Sequence, residues 1–451
     1  MRHYELIVVG GGSGNSLFGP EHETWHCAIV EEDRLGGTCM NRGCIPSKMY
    51  VVAADHARHI RDAAHLNLRA TYEGVDWPAL RDRVFSRIDP AHDSGVQYRR
   101  ANGIDVYDAR ARFVEPKVLE VRGERITAKQ IVVAVGTRPM VPDVPGLADV
   151  EYHTSDSIMR LDALPRSLVV LGGGFIAAEM SHVFSALGTD VTVLQRGPRL
   201  LMAEDHDVSA AFTRLVAKRM RVETGTHLVE VREHADGVVV RFEQDGVARE
   251  VVAETMLVAT GRIPNTDRLD AAAGGLALDD WGRVAVDEHF RTSVDGVWAF
   301  GDVANDFQLK HMANAEANVV RHNLSHPEDL RTLGHVFAPH AVFADPQVAA
   351  YGLTEHQAVA TGRPVKAARR FFGDTAYGWA MEDSTSFIKV IADTENRSIL
   401  GAHVMGPHAA MVIQPLVQAM TFGQTVDQIA RDVIYIHPAL SEVVEQVLLE
   451  L

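Results

Sequence analysis

Short apolar runs recur along the chain, separated by polar or helix-forming stretches. Residues 5–9, 27–30, 131–135, 168–171, 191–194 and 255–259 read this way. They are too short for buried helices, and their unbroken hydrophobicity predicts strands covered on both faces, as in a parallel sheet. Residues 104–108 and 118–122 add short strands, and 221–252 alternates in the manner of hairpins. Helical spacing fills the intervals. After Lys48 it extends to about Arg100, with Ala53, Ala57 and Ile60 at i, i+4 and i+7, and an amphipathic helix runs from about residue 175 to Gly188. The Pro-rich stretch 142–146 reads as a linker. From about Phe337 the pattern changes to alternating strands, including 387–391 and 400–405, followed by helices over 410–422 and 441–451. This order predicts an α/β chain with a C-terminal α+β part.

Two of the apolar runs end in glycine clusters. The first gives Gly10-Gly11-Gly12-Ser13-Gly14-Asn15, and the strand after it ends at Glu31. Gly10 suits a tight turn, Gly12 a close approach of backbone N–H groups to a pyrophosphate, and Glu31 a ribose hydroxyl. The fit is imperfect, because Asn15 holds the third glycine position and Gly19-Pro20 interrupts the expected helix. The second cluster, Gly172-Gly173-Gly174-Phe175-Ile176-Ala177, is cleaner. Its following strand ends in Gln195-Arg196, with Arg199 close behind, where an NAD site carries an acid. A guanidinium can grip a 2′-phosphate that a carboxylate would repel, so NADPH is expected; a solvated arginine on a turn is the competing reading.

Composition narrows the function. The 451 residues allow two or three domains, and 46% hydrophobic with 23% charged residues describes an ordinary globular chain. A net charge of −16 argues against a nucleic-acid or anionic-membrane partner and favours a small-molecule substrate. No apolar run approaches the ~18 residues of a membrane span, and the chain opens on a strand without a basic leader, which points to the cytoplasm. Three cysteines do not make a secreted disulfide scaffold. Cys27, inside an apolar run, reads as a core residue.

Cys39 and Cys44 stand five residues apart. In an ideal helix that spacing separates the Cα atoms by about 8–9 Å, whereas a disulfide wants about 4.4–6.8 Å. Pairing therefore requires a distorted turn, which Gly43 and Pro46 could supply. The spacing alone leaves a reducible couple and two unpaired thiols both open.

The segment 36–48, GGTCMNRGCIPSK, resembles the active-site segment of the pyridine nucleotide–disulfide oxidoreductase family almost residue for residue. The resemblance extends over the chain in order: first fingerprint, cysteines, second fingerprint, Gly301-Asp302 after the apolar segment 296–300, and His437-Pro438 near the end. It implies two Rossmann-like dinucleotide-binding domains and a dimerisation domain. FAD would occupy 1–148 and 270–334, NADPH 149–269, and the interface 335–451. FAD would be bound by Gly10, Gly12, Gly14, Glu31, Gly37, Thr38, Lys48, Ala111, Gly136 and Asp302. NADPH would be bound by Gly172, Gly174, Phe175, Ile176, Glu179, Arg196, Gly261 and Arg262, with Phe175 as a gate and Lys48 paired to Glu179 beside the flavin. Cys39 and Cys44 would form the redox-active disulfide, Cys39 attacking substrate and Cys44 remaining thiolate near the flavin. His437, oriented by Glu442, would be the acid–base group, reaching the partner subunit of a homodimer. No metal is implied. Residues 12–16, the truncated first helix and Lys48-Met49-Tyr50-Val51 most resemble the mycothione-reducing branch, with dihydrolipoyl dehydrogenase and glutathione reductase-like members as alternatives. The absence of an acid at 195–196 disfavours the lipoamide enzymes, and the ending at Leu451 lacks the C-terminal cysteines of mercuric reductases and the redox tail of large thioredoxin reductases. Outside the class, a flavin-dependent NADPH oxidase or electron transferase would need no His437, and a silent dimeric scaffold would need none of the three residues.

Overall fold

Leu6, Ile7, Val8 and Val9 are buried, and they face two different cores, Leu6 and Val8 one and Ile7 and Val9 the other. Their strand, Arg2–Val9, accordingly lies between two parallel neighbours, Cys27–Glu31 and Glu124–Val133. The computed structural model describes residues 1–334 and 337–451, and its chain forms two units. The first comprises Met1–Ser47, Ala79–Met140 and Gly261–Val336. Its sheet continues outward to Asp105–Asp108 on one side. On the other, Val297–Ala299 runs parallel to residues 131–133, and Val118–Val121 and Ala111–Glu115 follow antiparallel. Thr137–Pro139 and Arg262–Pro264 form a separate antiparallel pair where the chain leaves and re-enters this unit. The helix Lys310–Ser325 packs Ala317, Val320 and Leu324 against Leu6, Val8 and Leu17.

The second unit comprises Lys48–Pro78, Val141–Thr260 and Phe337–Leu451. It holds a four-stranded parallel sheet in the order Arg221–Thr224, Asp190–Gln195, Ser167–Leu171, Thr255–Val258. An antiparallel meander, His227–His234, Gly237–Gln244 and Val247–Ala253, shares its core. Five antiparallel strands, His340–Val342, Val348–Gly352, Ile399–Met405, Phe387–Asp393 and Val365–Phe371, carry the C-terminal helices. The boundary expected at residue 335 lies outside the described residues.

The two glycine turns repeat one construction. Gly10 has φ +109° and Gly172 φ +117°, and a Cβ added to either would come within 2.2 Å or 2.3 Å of the carbonyl oxygen of Ala134 or Ala259. Only glycine combines that backbone angle with that approach. Each amide bonds the end of the adjacent strand, Gly10 to Val30 O and Gly172 to Leu194 O.

Several expectations need correction. The segment after Gly12 is a 3-10 helix, Ser13–Leu17, so residue 14 rather than 15 faces the strand: a Cβ on Gly14 would lie 2.7 Å from Val8 Cγ1. On Cys44–Asp62 the buried positions after the first turn are Tyr50, Val51, Ala54 and Ala57, while Ile60 is exposed. Tyr50 sets that face by stacking on Trp77 and donating to Met159 O at 2.7 Å. Arg221–Thr224 extends the parallel sheet rather than a hairpin. The expected helix 410–422 is two, Ala409–Val412 and Gln414–Thr421, with Pro415 in the first turn of the second. The last helix is Glu442–Leu449, shorter than the expected 441–451. A turn precedes it, in which Glu442 N donates to Ala439 O and Ala439 N to the Glu442 carboxylate.

Candidate active site

Gly43 divides the cysteine segment into two helices, Gly37–Arg42 and Cys44–Asp62. A Cβ there would lie 2.9 Å from Thr38 O and 3.2 Å from Cys39 Cα, so the turns abut because residue 43 has no side chain. The break brings the Cys39 and Cys44 side chains into hydrogen-bond contact as thiols. Pro46 is not the source of the break. It sits in the first turn of the second helix, where a missing N–H is tolerated. Asn41 braces the turn by donating to Arg34 O, Leu35 O and Gly37 O.

Cys39 is half-buried and Cys44 exposed. The hydrogen bond to Cys44 pushes the Cys39 thiol well above its usual range, burial and the Cys44 charge add to this, and the Lys310 ammonium opposes it.

The glycine turn and the cysteine segment are joined through backbone. Gly36 N donates to Gly11 O at 2.8 Å, and a Cβ on Gly37 would lie 2.7 Å from Gly12 Cα. Glu31 accepts from Gly11 N at 2.5 Å and Asp33 N at 3.0 Å, and burial raises its carboxyl. Asn15 donates to Gly11 O. Thr38 is exposed at the start of the first cysteine helix, Gly136 has open space where a Cβ would project, and Ala111 is buried at a strand start. Asp302, half-buried in the turn Gly301–Val303, accepts from Thr137 Oγ1 at 3.2 Å; desolvation raises its carboxyl. Arg262, expected at the pyridine nucleotide, lies in the first unit and donates to Thr137 Oγ1 and Thr137 O, both at 2.8 Å. Gly261 is beside it, bonded to Met140 N.

Two further residues of this unit were not singled out from the sequence. Lys310 Nζ donates to Ser13 Oγ at 2.9 Å. Glu316, on the same helix, accepts from Gly301 N at 2.7 Å and from Asn305 Nδ2 at 2.8 Å and 3.0 Å. The sequence signal for both was position: they open and line the helix directly after Gly301-Asp302.

The second unit holds the other residues. Lys48 Nζ reaches both Glu179 oxygens at 2.6 Å, lies 4.7 Å from the centre of the Phe343 ring, and Glu179 also accepts from Phe343 N at 3.0 Å. Gly174 caps the helix Phe175–Leu187. Gly174 and Phe175 are exposed and Ile176 half-buried, whereas Ala177 and the residues after it turn into the core. Arg196 is exposed just beyond the strand Asp190–Gln195. His437 Nδ1 is 2.7 Å from Glu442 Oε1, its ring 70% exposed, and this bond with the Ala439 N–H holds the Glu442 carboxyl below its usual range.

These features match known proteins. The profile of "Pyridine nucleotide-disulphide oxidoreductase" covers residues 4–317, and that of the family's dimerisation domain covers residues 338–448. The chain belongs to the pyridine nucleotide-disulphide oxidoreductase family. This oxidoreductase is 45% identical to the mycothione reductase of Mycobacterium tuberculosis over the full length of both chains. It is 33% identical to the dihydrolipoyl dehydrogenase of Haloferax volcanii, covering 98% of this chain and 94% of the other. Its fold superimposes on the HOCl-induced flavoprotein disulfide reductase RclA of Escherichia coli with a TM-score of 0.86 at 25% identity, covering 99% of each chain. FAD and NAD(P)H are the cofactors of the family, and this chain's residues fit both. Beyond Gly12 a Cβ would meet nothing closer than Gly37 Cα at 3.8 Å, and at Gly174 it would meet nothing within 4 Å, so two glycine turns offer bare backbone to a dinucleotide.

Glu316 makes the first unit sensitive to pH. Burial, with the neighbouring Asp302 charge, pushes its carboxyl from 4.5 up to about 7, against the Gly301 and Asn305 hydrogen bonds. The folded state then binds this proton more tightly than the unfolded chain does. The associated stability is complete below about pH 4.5 and lost as pH rises through about 7. Glu316→Gln, a neutral isostere, should escape that loss. Its unfolding free energy relative to wild type should rise by up to about 3 kcal/mol between pH 4.5 and pH 8. Denaturant titrations at both pH values measure the difference, and parallel profiles would contradict it.

Proposed function

We propose that this oxidoreductase uses NADPH to reduce mycothione, the disulfide of a low-molecular-weight thiol, through a Cys39–Cys44 redox couple. The observation that carries the disulfide chemistry is the thiol pair held in contact across the Gly43 break. The choice of mycothione rests on 45% identity over the full length of the M. tuberculosis enzyme. NADPH rests on Arg196 in place of an acid at the end of the second fingerprint. In this reading residues 1–148 and 270–334 hold FAD, 149–269 hold NADPH and 335–451 form a homodimer interface. The absence, among the described residues, of a helix long and apolar enough to cross a membrane accords with work in the cytoplasm.

The residues divide the work. Gly10, Gly12, Gly14 and Gly37 give a pyrophosphate unobstructed N–H groups, Glu31 and Asp302 accept hydroxyls, and Gly172, Gly174 and Ile176 do the same for the nicotinamide dinucleotide, with Phe175 as a mobile cover and Arg196 on its 2′-phosphate. Bound FAD supplies two-electron transfer from nicotinamide to disulfide. Lys48, fixed by Glu179, adds positive charge one turn after Cys44. Cys39, losing its proton to His437, attacks one sulfur of the substrate. The substrate S–S bond breaks, a mixed disulfide forms, and the departing thiolate takes a proton from His437, which Glu442 orients. Cys44 thiolate then attacks Cys39 Sγ, closing the Cys39–Cys44 bond and releasing the second half of the substrate as a thiolate, which takes its proton from water.

His437 acts, in this proposal, on the cysteines of a partner subunit. Supporting this, exposed apolar side chains directly precede it, Ile434 at 96% and Ile436 at 76%, a pattern that calls for a protein cover.

Two experiments test the proposal. Steady-state kinetics with mycothione, glutathione disulfide, trypanothione and lipoamide, each with NADPH and NADH, should give mycothione with NADPH a kcat/KM at least roughly tenfold above every other pairing, as one charge-assisted contact supplies about 1.5–3 kcal/mol. Preference for lipoamide or NADH would refute it. Mixing inactive Cys39→Ser and His437→Ala chains should restore up to about a quarter of wild-type activity, since half of randomly assorted dimers are mixed and each carries one intact site. No recovery from mixed dimers would confine His437 to its own chain.

A further inference from the structure

Lys389 lies on the strand Phe387–Asp393 and is 3% exposed. Its ammonium meets three carboxylates: Asp205 Oδ1 at 2.8 Å, Asp207 Oδ2 at 3.0 Å and Glu355 Oε2 at 2.6 Å. Asp205 is buried and caps the helix His206–Val216, accepting from Asp207 N at 3.1 Å, while its other oxygen accepts from Glu355 N at 3.0 Å. A second grip lies one residue earlier: His340 Nε2 is 2.8 Å from Glu204 Oε1. His340, Ala350, His403 and Lys389 are successive cross-strand neighbours. One row of the C-terminal sheet therefore holds both Glu204 and Asp205. A buried charge is tolerated only when it is paired, which makes this contact exacting in position.

The helix in turn fixes the loop that follows Arg196. Ser209 Oγ donates to Leu200 O at 2.7 Å and accepts from Arg199 Nε at 3.2 Å, and Leu200 N donates to Thr213 Oγ1 at 2.9 Å. Leu201 N donates to Gly173 O at 2.7 Å. Residues 199–201 are thus held between the helix and the second glycine turn, with Arg196 exposed just before them. We propose that Lys389 is a positioning residue for NADPH: through Asp205 it holds the helix His206–Val216, and with it the loop that presents Arg196 to the 2′-phosphate. The inference rests on the reading of Arg196 as the 2′-phosphate contact. Lys389 acts through Asp205 rather than on the nucleotide itself. An exposed arginine on a fixed loop loses less freedom in closing on a phosphate than one on a loose loop, so the clamp works by preorganisation. Part of the preference for NADPH over NADH is therefore set from the C-terminal part of the chain, outside the second fingerprint.

The test is binding of NADP+ and of NAD+ to the oxidised holoenzyme, measured by isothermal titration calorimetry. Lys389→Met should raise the Kd for NADP+ at least roughly fivefold and leave that for NAD+ within about twofold, because only NADP+ carries the phosphate that a charge-assisted contact, worth about tenfold or more, can grip. Asp205→Asn keeps a cap for the helix and removes the carboxylate charge. It should weaken NADP+ in the same selective way by at least about threefold, and it decides the matter if Lys389→Met does not fold. Arg397→Met, which breaks a different ion pair of the C-terminal part, Arg397 Nε to Asp427 Oδ2 at 2.8 Å, should bind both nucleotides as wild type does. A folded Lys389→Met or Asp205→Asn that binds NADP+ like wild type, or that loses both nucleotides by the same factor, overturns the inference; so does a selective loss of NADP+ in Arg397→Met. If wild type itself binds NAD+ as tightly as NADP+, the reading of Arg196 fails first, so the two failures are distinguishable.

Discussion

A side chain at position 43 would collide with the Thr38 carbonyl and crowd Cys39 Cα. That vacancy of one Cβ is what allows Gly37–Arg42 and Cys44–Asp62 to meet as two helices rather than run on as one. In a continuous helix the cysteines would sit about 8–9 Å apart, too far for a disulfide. With the break they share a hydrogen bond, and the rest of the first unit is arranged around that contact. Asn41 fixes the turn from one side, and the glycine turn after Arg2–Val9 fixes it from the other. Geometry of this kind makes a bond that can be opened and closed, unlike a structural staple.

Electrostatics completes the arrangement. The chain as a whole is strongly acidic, at −16, yet two lysines are held by short hydrogen bonds, Lys48 at the end of the cysteine segment and Lys310 at the glycine turn. Lys48 stands four residues after Cys44 and has Glu179 as its own counter-ion. Lys310 is held by a neutral hydroxyl instead. Lys48 is therefore already compensated by a carboxylate, whereas the hydrogen-bond partner of Lys310 carries no charge. The Cys39 thiol is raised chiefly by its hydrogen bond to Cys44, with burial adding to it.

Much of this was legible in the sequence because it depends on local backbone. Gly10, Gly172 and Gly43 each answer a close approach that no other residue permits, and such positions announce themselves in a single chain. The runs at 5–9, 168–171 and 191–194 became the buried parallel strands they resemble, since burial on both faces leaves a signal that needs no partner to read. What was not legible depends on tertiary contact. Which face of Cys44–Asp62 is buried follows from Tyr50 meeting Trp77. The move from Asn15 to Gly14 follows from a 3-10 turn over Val8. Arg221–Thr224 joins the parallel sheet because Asp190–Gln195 has a free edge beside it, and Lys310 and Glu316 take their hydrogen bonds from residues 297 and 15 positions away.

The central claim is that Cys39 and Cys44 alternate between a disulfide and a dithiol under the control of the pyridine nucleotide. Differential alkylation read by peptide mass spectrometry, before and after one equivalent of NADPH under anaerobic conditions, tests it most directly. The account predicts Cys39 and Cys44 linked and protected beforehand, both open to the reagent afterwards, and buried Cys27 unchanged throughout. Equal labelling of Cys39 and Cys44 before and after NADPH would contradict it.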